Sequence, residues 1–224
     1  TPFDLQSAVN LNKIVDCFKI SSGDNNYFEL IDKVLSFKKP TIISTGLLSK
    51  PEIFNLFKHI KKKKFPLKKL YFLHYVSNYP VKNNEANLLS IKYLKNFIGE
   101  NIGYSDHTLG TEAAIVATAY GAKIIEKHFT IDKNYSNFRD HKLSADTSEM
   151  TNLVYSVRKV RQMMGKMNKL ISKSEQKNYS SMRRSLYFKN KIVKGSKILK
   201  SDLKIIRPFV KLAPNQINKV LNKK

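Results

Sequence analysis

The chain has 224 residues, of which 42% are hydrophobic and 11% aromatic, so it has enough apolar side chains for a packed core and is not a wholly disordered protein. Lys and Arg number 41 against 17 Asp and Glu, which gives a formal net charge of +24. No apolar stretch approaches the roughly 18 residues of a membrane-spanning helix, and the single cysteine, Cys17, excludes an internal disulfide and is consistent with the reducing cytoplasm.

The start of the chain leads to two further expectations. Residues 1–10 lack the basic segment and the apolar run of a secretory signal peptide, which agrees with a cytoplasmic protein. Thr1 stands where an initiator Met is expected, so we expect the beginning of a longer protein to precede it.

Residues 1–150 repeat one pattern, in which a short β-branched run ends in polar residues or glycine and is followed by apolar residues three and four apart. The predicted strands are residues 17–24, 41–46, 71–79, 102–108 and 124–130. The predicted helices are residues 26–37, 51–64, 87–97, 109–121 and 147–165. This alternation predicts a parallel α/β sheet, and without a glycine-rich dinucleotide motif it favours a (β/α) barrel over a doubly wound sheet. A closed barrel needs eight strands, so we expect about three strand–helix units before Thr1.

Polar side chains follow the predicted strands at the edge where barrel enzymes build their active sites. Because side chains alternate along a strand, Glu126 and His128 share one face of their strand, and Ser105 and His107 share one face of the strand before it. Neighbouring strands lie about 4.8 Å apart, so the two imidazoles are candidate ligands of one divalent ion. The alternative interpretation is that both are structural histidines.

The residues at these strand ends identify a family that the chain resembles. The stretches that carry the resemblance are TPFD (1–4), KISSGD (19–24), KPTIISTG (39–46), VSNYP (76–80), GYSDHTLG (103–110), GAKIIEKHFT (121–130) and DHKLSAD (140–146). They resemble the sialic acid synthase family, whose members condense phosphoenolpyruvate with an N-acetylmannosamine-type sugar. The resemblance therefore implies a transferase that forms a carbon–carbon bond and releases phosphate.

The family fold implies the domain organisation. It consists of a (β/α)8 TIM barrel and a small β-rich antifreeze-like (SAF) domain. Residues 1–165 would then be the C-terminal part of the barrel, with strands 4 to 8. Residues 166–182 would be a linker, and residues 183–224 the antifreeze-like domain. The family's first strands carry a glutamate that acts as acid and base and a lysine that binds phosphoenolpyruvate. No residue of this chain can be assigned to either role.

The resemblance also implies the roles of individual residues. His107 and His128 match the ligands of a divalent metal, Mn or Mg, and Glu126 matches a glutamate beside the metal. Positions around phosphoenolpyruvate are matched by Ser22, Lys39, Ser44, Ser77, Tyr79 and Ser105. Asp140 matches an acid that holds a sugar hydroxyl. Arg207 matches an arginine with which the small domain covers the sugar across a domain-swapped homodimer.

The acceptor sugar stays open at this stage. Phe138 and Arg139 replace the Gly-Pro that usually precedes Asp140 in the family. N-acetylmannosamine, its 6-phosphate, and the diacetamido sugars that lead to legionaminic or pseudaminic acid are all compatible with the sequence.

Two other functions compete with an active synthase. One is an inactive remnant or partner subunit of such an enzyme. The other is a nucleic-acid-binding protein, because residues 151–224 carry 20 basic and 2 acidic residues, a net charge of +18. Nucleic acid is the less favoured partner, since only 6 of the 41 basic residues are Arg, the better reader of phosphates and bases.

Overall fold

The computed structural model describes residues 1–223, and five of its strands form one parallel sheet. These strands are β1 (Phe18–Ile20), β2 (Thr41–Ser44), β3 (Leu70–Tyr75), β4 (Ile102–Asp106) and β5 (Ile125–Lys127). Their order in the sheet is their order in the chain. A doubly wound sheet reverses its strand order, whereas a barrel does not. The predicted partial (β/α) barrel is therefore confirmed in its sheet.

The helices of this part of the chain alternate with the strands. They are α1 (Leu5–Leu11), α2 (Phe28–Ser36), α3 (Lys50–Lys62), α4 (Leu89–Ile98), α5 (Glu112–Ala119), α6 (Arg139–Leu143) and α7 (Thr147–Met164). α1 and α6 were not predicted. α1 begins where Asp4 accepts a hydrogen bond from the Ser7 amide at 2.7 Å, a local cap rather than a long apolar pattern.

The predicted helix starts have clear physical causes. α3 begins at Ser49, whose amide donates to Glu52 at 2.7 Å, and Pro51 lies in its first turn. α7 begins at Asp146, which accepts from the Glu149 amide at 2.8 Å. It ends at Gly165, whose φ of 55° lies in the region that favours glycine.

The core lies between the sheet and its helices. Every second strand residue points toward the helices, and Phe18, Ile20, Ile43, Phe72 and Tyr104 are each at most 1% exposed there. The side chains of intervening residues point to the opposite face of the sheet, which would be the barrel interior. That face carries the polar residues, so this alternation positions the candidate site.

The chain divides into two compact units, residues 1–165 and 166–224. Within residues 166–223, α8 (Lys173–Lys177) and α9 (Tyr179–Met182) occupy the segment predicted as a linker. Strands β6 (Ser185–Phe188) and β7 (Leu203–Ile206) then form an antiparallel pair, and short 3-10 helices cover Lys200–Asp202 and Pro214–Lys219. The antifreeze-like assignment of residues 183–224 stays a prediction.

Among residues 1–223, no helix combines the length and the apolar character that crossing a bilayer requires.

Candidate active site

A cleft of about 380 Å³ lies at the carboxyl edge of the five-stranded sheet. Each strand, or the loop that follows it, contributes side chains to its wall. Eight of the predicted site residues line it together: Ser22, Ser44, Ser77, Tyr79, Ser105, His107, Glu126 and His128. The cleft therefore gathers residues that are up to 109 positions apart in sequence, from Lys19 to His128, as expected for the rim of a barrel.

The two histidines follow adjacent strands and lie side by side. Their ring centroids are 4.8 Å apart, with the ring planes at 88°. The backbone of each is tied to a neighbouring loop, since the His107 carbonyl accepts from Val81 N at 2.9 Å and the His128 carbonyl from Ala145 N at 2.8 Å. Both imidazoles are thereby held at the cleft.

The donor chemistry of this pair fits a divalent metal. His107 is 4% exposed, and its Nδ1 atom is buried without a hydrogen-bond partner among residues 1–223. A buried imidazole nitrogen without a hydrogen-bond partner is the kind of atom that a metal ion would satisfy. Residues 1–223 hold no cluster of three or more His, Cys, Asp or Glu side chains arranged to bind a metal. The pair would thus supply only part of a coordination shell.

Burial also sets the protonation state of His107. Desolvation, followed by the neighbouring His128, lowers the pKa of His107 from 6.5 to about 4. At neutral pH the His107 ring is therefore uncharged, which is the form that binds a metal.

This pKa shift predicts an acid sensitivity. Between about pH 6.5 and pH 4 the unfolded chain binds a proton at His107 that the folded chain does not, so stability should fall as the pH falls through this window. A pH titration of the His107 ring protons by NMR should show a midpoint near 4, and His107→Gln should make urea unfolding less dependent on pH in the same window. A midpoint near 6.5 would contradict the buried, neutral ring.

Glu126 contributes a carboxylate to the lining of the cleft. It accepts a hydrogen bond from Ser105 Oγ at 2.6 Å, and the Lys19 ammonium lies 2.9 Å from its Oε2 atom. Burial raises the pKa of Glu126, but the Ser105 hydrogen bond and the Lys19 charge outweigh it and hold that pKa below its usual value. Glu126 is therefore an ionised carboxylate at neutral pH.

Lys19 is a cleft residue that the sequence analysis missed, and Lys39 was assigned in its place. Lys39 stands just before β2, and its ammonium donates to the carbonyls of Asn12 at 2.6 Å and Val15 at 2.7 Å. It lies at the amino edge of the sheet, opposite the cleft, so its assignment as a phosphoenolpyruvate residue is corrected. Strand alternation contained the missing signal, since Lys19 is one residue from the buried Ile20 and faces the interior.

Two tyrosines pack against the histidine pair. The hydroxyls of Tyr75 and Tyr79 are 2.6 Å apart, and their ring centroids lie 4.7 and 4.5 Å from that of His107. Burial and the hydrogen bond with Tyr75 raise the pKa of Tyr79, so its hydroxyl stays protonated and can donate to a ligand. Tyr75 was not predicted, although it pairs with Ser105 in the sheet and strand alternation places it on the same face.

Asp140 lies on α6, near Tyr79. Its Oδ1 atom is buried and has no hydrogen-bond partner among residues 1–223, and its charge contributes to the raised pKa of Tyr79. The Arg139 guanidinium stacks over the Tyr79 ring at 4.9 Å. The nearest cation to this oxygen is Arg139, whose Nε atom lies 3.8 Å from it. The acid expected to hold a sugar hydroxyl therefore has an acceptor oxygen without a hydrogen bond.

Arg207 belongs to residues 166–223, where its Nε atom donates to the Met182 carbonyl at 2.6 Å. Its expected role as a residue that covers the sugar stays a prediction.

Gly46 makes room for Tyr75. A Cβ atom at position 46 would lie 2.0 Å from Tyr75 Cδ1 and 2.7 Å from Ser22 Oγ, whereas a Cβ at Gly23 would meet only Ser21 Oγ at 3.7 Å. We therefore expect Gly46→Ala to lower the free energy of unfolding by about 1–3 kcal/mol, the usual cost of overpacking, and Gly23→Ala to change it little. Thermal unfolding of both variants checks this, and equal melting temperatures would contradict the packing described.

Comparisons with known proteins agree with this geometry. Residues 1–169 match the family model described as the NeuB family. The chain is 38% identical to the N,N'-diacetyllegionaminic acid synthase of Campylobacter jejuni, with 93% of the chain and 62% of that protein covered. It is 36% identical to the pseudaminic acid synthase of the same species, covering 92% of the chain and 59% of that protein.

A solved structure is similar over the fold as well. The crystal structure of N-acetylneuraminic acid synthetase from Leptospira borgpetersenii, in complex with citrate, matches with a TM-score of 0.74 and 35% identity. The match covers 79% of this chain and 61% of that one. The chain therefore spans less than two thirds of each of these three proteins.

Proposed function

The chain belongs to the NeuB family, and from this premise we propose that it contributes the carboxyl-edge active site of a nonulosonic acid synthase. The proposed reaction condenses phosphoenolpyruvate with N-acetylmannosamine or a related 2-acetamido sugar. C3 of phosphoenolpyruvate bonds to the aldehyde carbon of the open-chain sugar, water adds at C2, and the resulting tetrahedral intermediate expels phosphate. The observation that carries the proposal is the cleft, in which two imidazoles, a lysine and the hydroxyls of Ser22, Ser44, Ser77 and Ser105 converge.

His107 and His128 would hold the divalent metal. When bound, the metal would act as a Lewis acid on the sugar aldehyde. Of the two expected metals, the imidazole ligands favour Mn over Mg, since Mg prefers oxygen ligands in a strict octahedron. The low pKa of His107 keeps its ring free of a proton that would compete with the metal.

Phosphoenolpyruvate carries a phosphate and a carboxylate, and the strand-end donors suit both. Lys19 would supply the ammonium, and Ser22, Ser44, Ser77 and Ser105 would supply hydroxyls. Charge-assisted hydrogen bonds of this kind are the strong ones. The ionised Glu126 beside Lys19 and Ser105 would orient these donors.

Asp140 would bind the acceptor sugar, and Tyr79 would contribute to the phosphoenolpyruvate site. The Oδ1 atom of Asp140 forms no hydrogen bond within residues 1–223 and would accept one from a sugar hydroxyl, and the protonated Tyr79 hydroxyl would donate to an oxygen of phosphoenolpyruvate. A carboxylate recognises sugar hydroxyls in general, so Asp140 leaves several 2-acetamido sugars as candidate acceptors.

One observation favours a partner subunit as the second candidate function. In the sheet of residues 1–223, β1 and β5 each pair with a single neighbour, so each leaves one edge open. Open parallel edges are normally covered by further strands of a barrel. In this case residues 1–223 would act together with additional strand–helix units, in the same polypeptide or another.

The proposal is tested with a chimeric protein in which a relative supplies the additional strand–helix units. A chimera would carry residues 1–223 in place of the matching segment of the C. jejuni N,N'-diacetyllegionaminic acid synthase. With Mn²⁺, phosphoenolpyruvate and one candidate sugar at a time, it should release phosphate and form a nonulosonic acid detectable by mass spectrometry. A folded chimera that is inactive with N-acetylmannosamine, its 6-phosphate and the diacetamido sugars would favour the inactive remnant.

A further inference from the structure

The face of the sheet behind the histidines carries a buried ion pair. The Lys127 ammonium lies 2.9 Å from Asp106 Oδ2, and their side chains are 1% and 0% exposed. In every other ion pair described over residues 1–223, both side chains are at least 20% exposed. Two charges removed so completely from water require good geometry and further hydrogen bonds to be tolerated.

Those further bonds tie together the ends of β4 and β5. Asp106 Oδ1 accepts from Thr108 N at 2.9 Å and from Thr108 Oγ1 at 2.8 Å. The Tyr104 hydroxyl also donates to it, at 3.4 Å. Lys127 donates a second hydrogen bond to the Thr108 carbonyl at 2.9 Å. The backbone is therefore fixed on both sides of His107, at residues 106 and 108.

The register of β4 and β5 connects this ion pair to the two histidines of the cleft. Asp106 pairs directly with Lys127 across β4 and β5, and each is followed by one of the two histidines. Successive side chains point to opposite faces of the sheet. An ion pair between residues 106 and 127 on one face therefore fixes the backbone positions from which His107 and His128 project into the cleft on the other face. A shift of β5 by one residue would break the ion pair and turn His128 away from His107.

We propose that Asp106 and Lys127 are positioning residues that set the spacing of the two imidazoles. They act from the opposite face of the sheet and touch neither the cleft nor its ligand. An apolar pair of similar size often holds a protein together as well as a buried ion pair does, so stability alone does not call for charges here. What the charged pair adds is one fixed register between the two strand ends. Its consequence for metal binding rests on the proposed function, whereas its effect on ring spacing does not.

The test compares three forms of the 224-residue chain without metal. Asp106→Asn with Lys127→Met removes both charges, so no unpaired charge stays buried. Lys95→Met with Glu100→Gln removes a pair that lies away from the cleft and is 22% and 72% exposed. NMR cross-peaks between the ring protons of His107 and His128 report the spacing directly. We expect them in the unaltered chain and in the Lys95/Glu100 variant, and their loss from the Asp106/Lys127 variant.

Co²⁺ binding, followed by its visible absorption, is the second measurement. We expect the Asp106/Lys127 variant to bind Co²⁺ about tenfold or more weakly than the unaltered chain, the usual scale for residues that orient metal ligands. If this variant does not fold, the same two measurements are made on Asp106→Glu, because this substitution keeps the charge and displaces the carboxylate by one methylene. A folded variant with native cross-peaks overturns the proposal. Native cross-peaks in an unaltered chain that binds no Co²⁺ would leave the positioning role intact and contradict the metal assignment.

Discussion

Replacing His128 with alanine is expected to abolish the Mn²⁺-dependent release of phosphate from phosphoenolpyruvate in the chimera. His128 is one of two imidazoles, 4.8 Å apart, that would hold the metal, so the variant loses one of the two metal ligands that residues 1–223 would supply. Lewis-acid assistance supplies several kcal/mol of transition-state stabilisation, and about 4 kcal/mol corresponds to about a thousandfold in rate. The decrease should appear in kcat and should be only partly reversed by added Mn²⁺.

His59→Ala is the matched control for this variant. His59 lies on α3, where its Nε2 atom contacts Asp32 at 2.7 Å, and it takes no part in the cleft. We expect His59→Ala to keep the rate of the chimera within about threefold, since surface ion pairs contribute little to stability. Metal-independent phosphate release that His128→Ala leaves unchanged would refute the metal role of the histidines.

Replacing Lys19 with methionine is expected to raise the KM for phosphoenolpyruvate by about 10- to 100-fold. The variant keeps the length of the side chain but removes a charge-assisted hydrogen bond, which is worth about 1.5–3 kcal/mol. It also leaves the Glu126 carboxylate without its nearest cation, which would repel the anionic substrate. Steady-state kinetics of the chimera, with phosphoenolpyruvate as the varied substrate, measure the change.

The Lys39→Met variant distinguishes the role of Lys39 from that of Lys19. The Lys39 ammonium donates to two carbonyls at the amino edge of the sheet, so its loss should lower the melting temperature and leave the KM for phosphoenolpyruvate unchanged. The reverse pattern, with a raised KM for Lys39→Met and a native KM for Lys19→Met, would restore the original assignment from the sequence and contradict the cleft described.

These two lysines illustrate what the sequence could predict. The alternation of side chains along β4 and β5 predicts correctly that His107 and His128 project toward the same side, because strand geometry has a fixed period of two. The same rule, applied to β1, would have found Lys19. Lys39 was chosen for its motif, although a residue before a parallel strand lies at the edge opposite to the active site.

Other features of the site depend on contacts that no local pattern contains. Tyr75 reaches His107 because Gly46, on the neighbouring strand end, leaves space for its ring. The position of Asp140 near Tyr79 depends on the packing of α6, whose Arg139 guanidinium lies over the Tyr79 ring. The partial barrel, by contrast, was predictable, since the strand–helix alternation of residues 17–165 fixes both strand direction and strand order.

We expect His107 and His128 to bind one divalent metal jointly, beside a phosphoenolpyruvate site. Crystals of the chain soaked with Mn²⁺ and phosphoenolpyruvate, and measured at the manganese absorption edge, would show whether they do. The expected result is one anomalous peak within bonding distance of both imidazoles, with the phosphate and carboxylate of phosphoenolpyruvate contacting Lys19 and the strand-end serines. Manganese bound away from both histidines, or phosphoenolpyruvate bound at the Lys39 edge of the sheet, would contradict it.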